Sequence, residues 1–312
     1  MPYIQTRDSE QIFIRDIGKD SKTDKPTIIL LHGFGMHSLH WLPFALPLAH
    51  KYRLLIPDLR GFGRSHLTTH NQQCVISNYA DDLADIVSHF KLSTIKLVGI
   101  SMGAFVALQY QGTYGTGKVS HYLHIDQSPK CINDKSWQWG LFGKENPERI
   151  YRASILVNNL TPYIKSNTPY DQLPINLREQ LWRDLGDFFA SALSRNSHKK
   201  IAQMICSKEL LIRRLMPVNN WPAYIHCLKA YIEQNYDMQA ILERIDTPIS
   251  LLVGMKSEMY PCGGQLRIAD YHSNCKIIPF QNSGHTPLID QPFRFFSELK
   301  RFAGLQTSKH YS

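Results

Sequence analysis

Short, unbroken apolar runs alternating with helix-length segments predict an α/β protein built on a mostly parallel, doubly wound sheet. Three observations carry this expectation. The runs span five to seven residues, too short for helices, and lack the in-out alternation of a sheet with one wet face. Amphipathic stretches of helical length separate them. Glycine-bearing turns follow several runs at the end where such sheets place ligands.

Taken in order, 3–7 and 11–16 read as an opening hairpin. The run 26–31 (Pro-Thr-Ile-Ile-Leu-Leu) reads as a strand covered on both faces, and 53–57, 94–100 and 120–126 repeat the pattern. After a long gap, 248–253 and 276–280 complete it. Helices are expected at 41–50, 75–90, 104–113, 265–271 and 292–302. Residues 131–237 break the rhythm. They carry Trp137, Trp139, Trp182 and Trp221, prolines at 147, 162, 169, 174, 217 and 222, and helix-like stretches at 177–193 and 223–234. An insertion of that kind predicts a helical cap over a core made of 1–130 and 238–312. Residues 131–230 hold 14 Lys/Arg against 8 Asp/Glu, so this segment supplies about +6 of the whole chain's +9 and the cap is expected to be basic as well as aromatic.

The bulk numbers exclude several classes. With 312 residues, 43% hydrophobic and 20% charged, the chain is globular rather than disordered or fibrous. The start lacks a basic stretch followed by an apolar one, and no apolar run reaches the roughly 18 residues of a membrane span. A cytoplasmic protein with no membrane span is expected. Cys74, Cys131, Cys206, Cys227, Cys262 and Cys275 are scattered, without a C-x-x-C pair or a metal-ligand cluster, so they read as reduced packing thiols and no metal or cofactor is expected. The net charge comes without a run of five basic residues or a recognition motif, and nucleic acid is not an expected partner.

The chemistry-bearing features lie at the ends of the runs. Ser101 sits in Gly99-Ile100-Ser101-Met102-Gly103, between an apolar strand and a helix. Such a turn forces the serine toward positive φ and brings its flanks into near contact, so they must be small. His32-Gly33-Phe34-Gly35 follows the strand at 26–31 and is able to offer a backbone N–H toward the serine. Phe34 and Met102 are the candidate oxyanion donors. Asp58, in Pro57-Asp58-Leu59-Arg60-Gly61-Phe62-Gly63-Arg64-Ser65, is expected to order its own loop by accepting backbone N–H groups. His285, in Gln281-Asn282-Ser283-Gly284-His285, follows the last apolar run and is the candidate general base.

In this order and context, these four motifs resemble the α/β-hydrolase fold family. The resemblance covers nearly all of 1–130 and 245–305. It implies an eight-stranded, mostly parallel sheet, a cap inserted after the sixth strand, and a serine–acid–histidine triad. The acid usually stands three residues after the glycine closing the penultimate strand, but counting from Gly254 gives Ser257. Asp126, at the end of the 120–126 run, and Glu258 remain as candidates. Asp126 is favoured because relatives such as the haloalkane dehalogenases sometimes take the acid from that strand. A serine nucleophile implies acyl transfer rather than an alkyl-ester intermediate on a carboxylate. The expected reaction is hydrolysis of small to medium carboxylic esters. Carbon–carbon bond hydrolysis, thioester hydrolysis and haloperoxidase-like perhydrolysis fit the same residues, and a non-catalytic small-ligand binding or interaction protein is the reading from another class. Trp137, Trp139, Trp182 and Trp221 are candidate substrate contacts. The expected partner is a small-molecule ester or related acyl compound, with a homodimer left open.

Overall fold

The computed structural model describes residues 3–20, 25–69, 74–215 and 218–306, so Pro217 lies outside the described residues. Eight strands form one sheet: β1 (Tyr3–Gln5), β2 (Gln11–Ile17), β3 (Thr27–Leu31), β4 (Arg53–Pro57), β5 (Ile95–Ile100), β6 (Val119–Ile125), β7 (Ile249–Gly254) and β8 (Cys275–Phe280). Their order is β1-β2-β4-β3-β5-β6-β7-β8. The β1–β2 hairpin joins the sheet antiparallel to β4, and every pair from β4 to β8 is parallel.

Alternating side chains of the central strands feed two separate cores, as the period of two requires. Ile29, Leu31, Leu55, Leu97 and Val253 face the helices Val75–His89 and Met102–Tyr114. Ile28, Leu30, Leu54, Val98, Ile100, Leu123 and Leu252 face the opposite layer, with Trp41, Phe44 and the helix Pro292–Ala303. Covering both faces removes alternation from the strand sequences, which is why they read as unbroken apolar runs. The helix Met102–Tyr114 is buried from Met102 through Leu108, so it too carries no amphipathic signature.

Two expected helices are broken. The 41–50 segment is three short turns, Ser38–Trp41, Leu42–Ala45 and Leu46–Leu48, because Pro43 and Pro47 remove the donors a continuous helix would need. The 265–271 segment divides into Cys262–Leu266 and Ile268–Tyr271.

Between β6 and β7 the chain forms a helical insertion: Asn146–Lys165, Ile175–Ser191, Asn196–Cys206, Glu209–Leu215 and Trp221–Glu233. Its entering and leaving segments are tied together. Lys130 and Asp237 form an antiparallel bridge, the Cys131 amide donates to Tyr236 O at 3.0 Å, and that of Met238 to Pro129 O at 2.8 Å. Several prolines start helices rather than stop them. Pro147 and Pro222 occupy the first turn, where the missing N–H costs nothing, and Pro174 is an N-cap.

The loop after β4 is anchored by a buried ion pair. Arg60, 2% exposed, donates to both oxygens of Asp82 (2.7 and 2.5 Å), which is 1% exposed, and to both oxygens of Asp8 (2.6 and 2.8 Å). Removing one partner of such a pair leaves an uncompensated buried charge. Arg60→Ala is therefore expected to cost about 3–5 kcal/mol of folding stability, seen in urea unfolding as a lower midpoint at unchanged slope; a loss below about 1 kcal/mol would show that the pair behaves as a surface bridge.

Candidate active site

The carboxyl ends of β3 to β8 deliver the sequence-selected residues to one edge of the sheet. Ser101 follows β5 directly and has φ +53°, ψ −122°, the left-handed half of the map that an L-residue adopts only under constraint. The constraint is the close approach of its flanks. A Cβ on Gly99 would lie 2.4 Å from Gly103 O, and one on Gly103 would lie 2.6 Å from Leu31 O. No side chain fits at either place. The Ser101 amide donates to Ile125 O at 3.0 Å, which locks the turn to the end of β6.

One residue later, Asp126 also has positive φ, at +42°. Its carboxylate is buried and collects three donors from other parts of the chain. Gly254 N–H, at the end of β7, donates to Oδ2 at 2.9 Å, while the Ser257 hydroxyl donates to Oδ1 at 2.8 Å. His285 Nδ1 lies 2.7 Å from the same Oδ1. A carboxylate only accepts, so Nδ1 carries the proton and Nε2 is left as the basic nitrogen. Glu258 is elsewhere. Its side chain is 60% exposed and pairs with Lys199 at 2.5 Å, because the turn after β7 directs Ser257 inward and its neighbour out to solvent. Of the two acids, Asp126 alone meets the histidine.

The loop after β3 lies against the serine, with the Cβ of Ser101 3.2 Å from where one on Gly33 would sit. His32 fixes this loop. A carbonyl can only accept and an amide can only donate, so its Nδ1–H donates to Gly33 O (2.8 Å) and its Nε2 accepts from Leu59 N–H (2.9 Å). The Met36 amide holds the same Gly33 oxygen at 3.1 Å. In a trans peptide the N–H opposes the C=O, so pinning Gly33 O also sets the direction of Phe34 N–H. Met102 opens the helix after Ser101, where the first amides have no intrahelical acceptor. Asp58 orders its own loop as expected, accepting Arg64 N–H (2.8 Å), and also ties it to the turn after β3 by accepting Ser38 N–H (2.5 Å).

A small cavity of about 50 Å³ opens at Ser101. Its wall is apolar, with Phe34, Leu141, Phe142, Phe188, Leu228 and Tyr260 prominent; most of the lining comes from the helical insertion. Among the described residues lining it there is no tryptophan. Trp182 is buried and donates to the Tyr170 hydroxyl at 2.8 Å, Trp137 and Trp221 are buried, and Trp139 lies 4.1 Å beneath the Arg267 guanidinium. None of the four tryptophans lines this cavity, whose aromatic lining is Phe34, Phe142, Phe188, Tyr231 and Tyr260. Tyr260 joins the cavity to the histidine, its ring 5.7 Å from that of His285.

A family model described as the alpha/beta hydrolase fold matches residues 26–204, more than half of the chain. The chain belongs to the alpha/beta hydrolase fold family. Curated relatives of this hydrolase include a pimeloyl-[acyl-carrier protein] methyl ester esterase of Nitrosomonas europaea, 22% identical over 87% of this chain and 93% of the relative. A non-heme haloperoxidase of Rhodococcus erythropolis is 32% identical over 42% of this chain and 46% of the relative. Among solved structures, an esterase from Exiguobacterium antarcticum superposes with a TM-score of 0.71 at 18% identity, covering 96% of this chain and 98% of the other, a likeness of fold. Among the described residues no helix is long and apolar enough to cross a membrane.

Two wholly buried histidines belong to the elements that carry the candidate site. Burial pushes His32 and His124 down to about 4 from the ordinary value of 6.5. His124 donates through Nε2 to Gln127 O at 2.9 Å, beside Asp126. Both rings are neutral in the fold, whereas the unfolded chain takes up their protons as pH drops below 6.5. Their contribution to stability is complete above that pH and is lost as pH falls toward 4. Thermal unfolding across this window is expected to show a falling melting temperature, with a shallower fall in His124→Gln; an unchanged slope in the variant would overturn the assignment.

Proposed function

We propose that the protein is a serine hydrolase that cleaves carboxylic esters of small to medium acyl groups through an acyl-enzyme on Ser101. The observation that carries this reading is the hydrogen bond from His285 Nδ1–H to the buried Asp126 carboxylate, made at the sheet edge that also carries the strained Ser101 turn. In the proposed reaction His285 Nε2 takes the Ser101 proton as the serine oxygen attacks the ester carbonyl, and Asp126 stabilises the imidazolium that forms. The N–H groups of Phe34 and Met102 receive the charge developing on the carbonyl oxygen. The imidazolium then protonates the leaving alkoxide. Water, deprotonated by the same nitrogen, attacks the acyl-enzyme and releases the acid with Ser101 restored.

The apolar wall of the cavity favours an acyl or alkyl arm without charge, and the names of the esterase relatives agree with ester chemistry. In the same reading the 131–237 segment serves as a cap that supplies this wall. A fluorophosphonate probe is expected to label the wild type and to leave Ser101→Ala unlabelled; labelling that persists in the variant would remove Ser101 from the mechanism. Asp126→Asn should lower kcat by roughly 10³–10⁴-fold, through loss of the acceptor that fixes the histidine tautomer, while Glu258→Gln leaves turnover of p-nitrophenyl esters nearly unchanged. The reverse ranking would transfer the acid role to Glu258. Across p-nitrophenyl esters of increasing chain length, neutral acyl groups of intermediate length are expected to be preferred, and a strict preference for a dienoate ring-fission product would replace the ester assignment.

A further inference from the structure

Ser257 stands three residues after Gly254, the usual place of a triad acid, and its hydroxyl is engaged both as acceptor and as donor. It accepts the Tyr260 amide at 3.2 Å and donates to Asp126 Oδ1 at 2.8 Å, the oxygen that also meets His285 Nδ1. The direction of each bond is forced, because an amide only donates and a carboxylate only accepts. The result is one polarised chain, from Tyr260 N–H through Ser257 O–H to Asp126, opposed by His285 N–H. It begins in a residue that lines the cavity beside Ser101 and ends on the base. The serine is nearly buried, at 9% exposure, so water does not readily replace its hydroxyl.

We propose that Ser257 is a positioning residue for the reaction, holding Asp126 Oδ1 in place and sharing that oxygen's negative charge with His285. This inference rests on the triad reading above. Two donors share Oδ1, so the Ser257 hydroxyl takes up part of the negative charge that His285 N–H also meets and fixes the direction from which the ring is held. Other titratable groups around the pair are Tyr260 on the β7–β8 connection, His124 on β6 and Asp290, which accepts Gly284 N–H at 2.8 Å. Nearer the surface is the Lys199–Glu258 pair. None of these groups is removed by changing Ser257, so a shift of the profile in the variant reports on the hydroxyl.

The test is the pH dependence of kcat/KM for a p-nitrophenyl ester, from about pH 5 to pH 9, in wild type, Ser257→Ala, Ser257→Thr and Asp126→Asn. Ser257→Ala is expected to move the acid limb up by about half a pH unit or more and to lower kcat by about tenfold with little change in KM. Ser257→Thr, which keeps the hydroxyl, should return the limb to the wild-type position. A uniform loss with an unmoved limb, or no loss at all, would overturn the role of Ser257 while Asp126→Asn still abolishes activity. If Asp126→Asn retains full activity, the triad reading itself fails. Melting temperatures of all four proteins separate a folding defect from a displaced limb, and a limb that moves only in proteins with a lowered melting temperature, Ser257→Thr included, would also overturn the proposal.

Discussion

Asp126 gathers the site by accepting hydrogen bonds that arrive from separate parts of the chain. Gly254 closes β7, Ser257 stands three residues further on, and His285 follows β8, yet all three donate to one carboxylate. A buried carboxylate without such donors would be costly, by several kcal/mol on the scale of desolvated charges. Once the donors are present, the acid becomes the fixed point about which two loops are arranged. Its positive φ is the local strain that this position requires, and aspartate tolerates that region better than most side chains. The backbone adds a further tie, since the Asp126 amide donates to Leu252 O at 3.0 Å.

Phe34 plays the matching part on the other side of Ser101. Its ring packs against Phe62 of the β4 loop and against Phe188, Phe189 and Tyr224 of the helical insertion, with centroid separations of 5.1–6.1 Å. Three of these pairs are edge-to-face and the one with Phe189 is stacked, and such pairs contribute about 0.5–1.5 kcal/mol each beyond area burial. The loop that carries Phe34 is thereby held by the His32 hydrogen bonds and by aromatic rings, contacts that Ser101 itself does not make.

Much of this was legible in the chain alone, for identifiable reasons. The doubly covered strands announce themselves as apolar runs, and the Ser101 turn does so through glycines that nothing larger replaces. Asp126 stands out in the sequence because a serine, Ser257, occupies the usual place of the acid, although no sequence pattern shows that Ser257 contacts Asp126. The cavity wall was not legible. Tryptophans looked like the obvious aromatic lining, but Trp182 and Trp221 fill the interior of the insertion, while Phe142, Phe188 and Tyr231 reach the cavity through long-range packing that no local pattern encodes. Prolines misled in both directions: Pro43 and Pro47 divide what periodicity reads as one helix, whereas Pro147 and Pro222 begin helices.

The helix Ile175–Ser191 touches both halves of this arrangement. Phe188 and Phe189 lean on Phe34, and just beyond the helix Ala192 O accepts from Thr286 Oγ1 (3.0 Å) while Ser194 Oγ donates to Asp290 (2.7 Å), next to the histidine loop. A segment fastened at two such points cannot swing aside like a door on one hinge without slackening both the amide loop and the loop that carries the imidazole. The two loops are thus mechanically joined through one helix, so a displacement felt at Phe34 is also felt at Thr286 and Asp290.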